Sequence, residues 1–282
     1  DRLLQTGELM KQMLLPLALV LMGVGHAQAG AWAQPKGSTY AKISGIFYDS
    51  DEVFNDMGKR QRMGIDEEEF RGEQAFLYVE HGLRDRLTVI GQFSGGVLTS
   101  SNLRVEQSTK GIGDAVIGAK YQLVDRPFVF SPYLSMKIPT GYHESYEPPL
   151  GTGDVDVEAR LLFARSLFPL PIYLGVEAGH RWRTGLFSNQ WVGFAEIGAT
   201  PHERLFLKGF VDARDTRTGT VENLGLVGGG IQVSEGDDVR VGINGALRVH
   251  QGFWLDLLME WAVRGENVGA GASWGVGVSY GG

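Results

Sequence analysis

The chain has 282 residues, 43% hydrophobic and 21% charged, with 41 glycines and no cysteine, and its mean hydropathy is -0.09. These values exclude a bundle of membrane helices, disulfides and thiol chemistry. They leave room for a membrane β-barrel, whose alternating strands average to neutral hydropathy. A net charge of -7 argues against nucleic acid as a partner.

The first residues carry an address. Met10-Lys11 starts a short positive region, Leu14 to Val24 is apolar, and Ala27-Gln28-Ala29 is a small-residue cleavage signal ahead of Gly30. That is the pattern of a secretory signal peptide, and the apolar run is short for a membrane helix. The residues before Met10 read as upstream sequence. We therefore set residues 1–29 apart as upstream residues plus leader, and expect residues 30–282 to form one barrel in the bacterial outer membrane.

From Thr39 onward the chain alternates with a period of two, which means strand rather than helix. Thr39, Ala41, Ile43, Gly45 and Phe47 alternate with Tyr40, Lys42 and Ser44, and an acidic loop follows from Asp49 to Phe70. Ala75, Leu77 and Val79 form the next apolar face; Leu87, Val89, Gly91 and Phe93 form another, before a polar loop from Ser100 to Lys110. Ala115, Ile117, Ala119 and Tyr121 then oppose Asp114, Lys120 and Gln122. Phe130, Pro132, Leu134, Met136 and Ile138 oppose Ser131, Tyr133, Ser135 and Lys137. In Gly151–Leu167, Asp154, Asp156, Glu158 and Arg160 face away from Val155, Val157, Ala159, Leu161 and Phe163. Leu174, Val176, Ala178, His180 and Trp182 oppose Glu177, Arg181 and Arg183, and two further strands carry Glu196 and then Lys208, Asp212 and Arg214 on their wet faces.

The clearest signal is the hairpin from Val239 to Arg264. Its loop, His250-Gln251-Gly252, suits a type I turn followed by a glycine bulge, because glycine accepts the left-handed conformation. Arg240, Arg248, Asp256, Glu260 and Arg264 fall on its polar face, and Ala272 to Tyr280 supply the last strand. Connections near Arg84, Arg126, Leu170 and His202 are short, and those near Glu67, Glu106, Ser145 and Asn223 are longer and more polar. Such a split is expected between the periplasmic and exterior ends of an outer-membrane barrel. A bacterial barrel needs an even strand number. Leu224–Val233, interrupted by Gly228-Gly229-Gly230, is therefore assigned to a long exterior loop from Thr216 to Asp237, leaving about twelve strands. The fold class is an all-β, membrane-spanning, antiparallel up-and-down barrel.

Charges recur on nearly every strand with signs nearly balanced. The candidates for lining the lumen are Lys120, Lys137, Asp154, Asp156, Glu158, Arg160, Glu177, Arg181, Arg183, Glu196, Lys208, Asp212, Arg240, Arg248, Asp256 and Glu260. A dry core cannot hold unpaired charges, whereas a watery or ion-paired lumen can. A secreted β-sandwich with its charges in solvent is the competing arrangement. Balanced signs predict little charge selectivity. Trp182, Trp191, Trp254, Trp261, Trp274 and Tyr280 are expected toward strand ends, at the membrane interface.

Taken in order, GIGDAVIGAKYQL (Gly111–Leu123), KIPTG (Lys137–Gly141), LGTGDVDVEARLLFARSL (Leu150–Leu167) and RGENVGAGASWGVGVSY (Arg264–Tyr280) resemble the transporter-like outer-membrane barrels associated with phenol meta-cleavage pathways. The resemblance implies a barrel that helps small solutes cross, apolar and aromatic compounds among them, and brings no catalytic residues. The chain departs from that pattern in ending Tyr280-Gly281-Gly282 rather than on an aromatic residue, and in the acidic Glu266 of the Arg264–Asn267 turn.

Two other functions compete with passage of solutes. One is a structural or adhesive barrel binding through loops 51–70 and 216–237. The other is a lipid hydrolase built on His143 with Ser145, or on His180, although neither shows a GxSxG elbow or a convincing third partner. No zinc spacing, phosphate loop or dinucleotide fingerprint occurs, so neither metal nor cofactor is expected. The expected partners are outer-membrane lipids, lipopolysaccharide and a small solute. The acidic run Asp66–Glu69 is a candidate for bridging divalent cations in lipopolysaccharide.

Overall fold

The computed structural model describes residues 30–63, 68–142, 147–185, 187–216 and 236–281. In chain order its strands are β1 (Thr39–Ser50), β2 (Glu52–Phe54), β3 (Arg60–Arg62), β4 (Glu69–Arg84), β5 (Leu87–Ser101), β6 (Glu106–Tyr121), β7 (Val129–Ile138), β8 (Asp156–Ser166), β9 (Ile172–Arg183), β10 (Gln190–His202), β11 (Leu205–Thr216), β12 (Asp237–His250), β13 (Phe253–Glu266), β14 (Val268–Gly269) and β15 (Ala272–Gly281). Twelve of them close into one antiparallel barrel, in which each strand pairs with its neighbours in sequence and β1 seals against β15. Closure leaves no sheet edge, which is the condition for β-structure to sit in hydrocarbon.

The outer face is apolar. Ile43, Ile117, Ile243 and Leu257 are each more than half exposed, an arrangement that is stable only against lipid or a partner. The outward rows continue through Leu134, Leu161, Val176 and Trp274. His180 stands between Trp182 and Trp191, at 4.9 and 4.7 Å between ring centres.

Inside, twelve strands leave little room, and glycine on one strand lies opposite a large side chain on the next. A Cβ on Gly198 would stand 2.1 Å from the Tyr173 ring, and one on Gly242 would stand 2.2 Å from Phe210. Apolar layers cap the interior at both ends. At the short-turn end Phe206, Ala246 and Trp254 pack with Tyr173, whose ring meets Trp32 edge-on at 5.6 Å. At the long-loop end Tyr48, Phe70 and Leu98 from the wall enclose Val53, Met63 and Leu150 from the loops.

Several boundaries differ from the sequence expectation. The stretch from Ser100 to Lys110 is mostly strand, because β5 and β6 stay paired as far as Ser101 and Glu106. The acidic loop after Asp49 contains a small sheet, β14-β2-β3, whose Val53 and Phe54 are buried. Asp154 precedes β8 rather than lying within it. Trp254 is buried in the interior rather than at the interface, and Trp261 lies well inside β13. Arg264 faces outward, because the β12–β13 register shifts between Val239 and Arg240 and reverses the alternation there. The glycine bulge is present as expected, with a register shift beside His250 and Gly252 at φ +78°. Leu224–Val233, His143 and Ser145 lie outside the described residues, as do Asp66 and Glu67.

Gly198→Ala should overpack the Tyr173 site and cost about 1–3 kcal/mol. The Gly198→Ala/Tyr173→Ala double variant should lose less than the sum of the singles. Urea unfolding in detergent, followed by tryptophan fluorescence, measures both.

Candidate functional site: the charged lumen

Strand alternation sends every second side chain inward, and in a closed barrel those rows converge. Around the interior the charges form a nearly continuous girdle. Lys42 reaches Asp256 at 3.1 Å, and Ser279 donates a hydrogen bond to the same carboxylate at 2.7 Å. Arg240 bridges Asp238 at 2.5 Å and Glu260 at 3.0 Å; Arg214 joins Asp238 to Asp212. Lys208 pairs with Glu196 at 3.2 Å and lies 5.8 and 5.6 Å from the ring centres of Phe194 and Phe210. Arg160 holds Glu158 at 2.6 Å and Glu177 at 3.1 Å, while Arg181 takes the other side of Glu158 at 2.7 Å. Lys137 sits between Asp114 and Asp156, each at 3.1 Å, and Arg183 approaches Asp156 at 3.8 Å. Lys120, 1% exposed, lies 3.1 Å from Glu80.

The structure places Lys120, Lys137, Asp156, Glu158, Arg160, Glu177, Arg181, Arg183, Glu196, Lys208, Asp212, Arg240, Asp256 and Glu260 in ion pairs on the inward rows of the wall. Arg248 lies on the same inward row at the short-turn rim, beside Glu203 and over the Trp254 ring, whereas Asp154 stands in the connection before β8 with its carboxylate against Gly185. Sequence reasoning placed Asp114 and Arg214 on wet faces without singling them out, although each completes an ion pair. It missed Asp238, which falls between the expected loop ending at Asp237 and the hairpin beginning at Val239, although it shares the inward row of Arg240 and Gly242.

One contributor is not part of the wall. Gly30 to Gln34 lies inside the barrel at the short-turn end, and Pro35 to Gly37 are exposed. The Gly30 carbonyl accepts a hydrogen bond from Lys120 at 2.8 Å, and the Ala31 carbonyl accepts one from Ser131 at 2.6 Å. Ala33 N–H donates to Gln122, and Gln34 donates to Thr88 through its backbone and to Glu80 through its side chain. Gly82 lets the segment cross β4, since a Cβ there would stand 2.0 Å from the Pro35 carbonyl. Composition and periodicity gave no sign of this segment, because its bonds run to strands up to 100 positions away.

Toward the long-loop end, Tyr142 donates its hydroxyl to Asp114 at 2.6 Å and accepts a hydrogen bond from Gly153 N–H at 2.7 Å. Burial and the Asp114 carboxylate push this phenol above its ordinary range. Lys137 adds a hydrogen bond to Thr152. Between the loops and the N-terminal segment lies a cavity of about 380 Å³. Gly30, Glu80 and Lys120 border it, as do Asp114, Lys137 and Asp156, the Arg160–Glu177 pair, and the apolar Phe76, Ile90, Val116 and Leu162. A volume of this order suits one small molecule.

A closed antiparallel wall, apolar outside and ion-paired inside, defines a β-barrel of the outer-membrane type. The chain is similar to the COG4313 outer membrane channel from Pseudomonas putida F1, with 15% identity and a TM-score of 0.73 over 91% of this chain and 100% of that one. It is similar to the NanC porin (TM-score 0.56, 7% identity) and the KdgM porin (0.53, 8%), each over 85% of this chain and 98% of the other. At these identities the shared property is the fold. No protein-family model matches the chain, and no curated protein matches it.

Lys120→Met leaves Glu80 buried without its cation and should cost about 3–5 kcal/mol of stability. Lys120→Met/Glu80→Gln should recover most of that loss. The midpoint of urea unfolding checks it.

Proposed function

We propose that the protein is an outer-membrane barrel that passes small solutes, apolar and aromatic compounds among them, through its lumen. The observation that carries this reading is the cavity of about 380 Å³ inside the barrel, lined by both ion pairs and apolar side chains. The mixed lining suits a small molecule with one apolar face better than a hydrated ion, because the charges around it already satisfy one another. In this reading the short turns face the periplasm and the longer loops face outward, beside lipopolysaccharide. The sequence resemblance to barrels associated with phenol meta-cleavage supports an aromatic cargo. The chemistry at His180 supports passage rather than hydrolysis, since its ring neighbours are Trp182 and Trp191 on the lipid-facing side.

The two apolar caps and the N-terminal segment imply a narrow path. In planar bilayers the mature protein should give small, discrete conductance steps with little ion selectivity, and removal of residues 30–37 should raise the unit conductance severalfold. A folded barrel that stays silent in both forms would overturn the reading.

A further inference from the structure

We infer that the α-amino group freed by cleavage after Ala29 is itself a lumen cation, docked on Glu177. The inference rests on the leader reading of residues 1–29, not on the transport reading. Lys120 and Ser131 hold the Gly30 and Ala31 carbonyls at 2.8 and 2.6 Å, so the position of Gly30 inside the barrel is set from two strands. At that position a Cβ would stand 2.2 Å from Glu177 Oε1 and 3.2 Å from Leu162 Cδ2. The backbone of residue 30 is thus close against a carboxylate, and a side chain there would have to push Glu177 aside. Glu177 uses its Oε2 to accept the Arg160 hydrogen bond at 3.1 Å, and its Oε1 faces Gly30.

Charge supplies the second line of support. The residues lining the cavity include five anions (Glu80, Asp114, Asp156, Glu158, Glu177), and of its cations Arg214 pairs with Asp212 and Asp238 outside the lining, which leaves Lys120, Lys137, Arg160 and Arg181 for the five carboxylates. Arg160 is shared between Glu158 and Glu177. A second cation beside Glu177 gives it a partner of its own, and a carboxylate in a low-dielectric interior gains strongly from one. The cavity that Gly30 borders has room for one small molecule and not for a polypeptide. Docking of the segment is therefore coupled to removal of the leader: processing creates both the free end and the charge that anchors it.

The test reads amine reactivity in the purified, folded, mature barrel. Intact mass should place the N-terminus at Gly30. Under brief acylation with an N-hydroxysuccinimide ester at neutral pH, the Gly30 amine should react about tenfold or more slowly than in the SDS-denatured protein, since an adjacent carboxylate holds an amine protonated by a pKa unit or more. The exposed Lys36 serves as the internal standard. Glu177→Gln keeps the shape and removes the charge, and should speed acylation severalfold. Gly30→Ala leaves every lumen charge in place and should do the same by steric displacement, so it provides the readout if Glu177→Gln fails to fold. A mature N-terminus elsewhere, or a Gly30 amine equally protected in both variants, would overturn the proposal. Conductance is not read, so its failure leaves the transport reading untouched.

Discussion

Backbone closure between β1 and β15 is the constraint on which the rest of the molecule depends. Ten residue pairs, from Tyr40↔Gly281 to Asp49↔Ala272, stitch the first barrel strand to the last. In hydrocarbon an unpaired N–H or C=O costs several kcal/mol, so a sheet crossing lipid must have no edge. Once the ring is shut, the inward face of every strand shares one narrow volume, and the outward face has only lipid to meet.

That narrowness organises the interior. Gly198 lies beside Tyr173 and Gly242 beside Phe210 as cross-strand partners, so each ring lies over a glycine on the next strand. The same crowding brings carboxylates and guanidinium groups into contact. Asp238, Arg240 and Glu260 come from adjacent strands and meet at 2.5–3.0 Å. Buried pairs of this kind add little net stability over apolar packing, yet losing one member is severe. They act as a filled, polar lining whose arrangement is fixed by the barrel register.

The interior is layered along the axis. Apolar clusters around Trp254 and Leu98 bracket the charged middle, so water and ions do not meet one uniform polar tube. The N-terminal segment adds a second boundary at the short-turn end, held through Lys120, Ser131, Gln122 and Thr88. A small cavity between these boundaries is a more selective environment than an open water-filled pore.

The strand alternation, the turn at His250–Gly252 and the inward direction of most charges were legible from residue order alone, because a period of two is a local property of extended backbone. Arg264 was not, since the β12–β13 register slips by one residue at Val263 and turns it outward, and nothing local announces the slip. Nor was the burial of Val53, Met63 and Leu150, which are apolar residues in polar loops that find their partners across the barrel mouth. Residue order determined that this chain forms a barrel with oil outside and charge inside. Only the tertiary structure decided which charge pairs with which, and that residues 30–34 enter the lumen, because those contacts join strands far apart in sequence and exist only once the ring is closed.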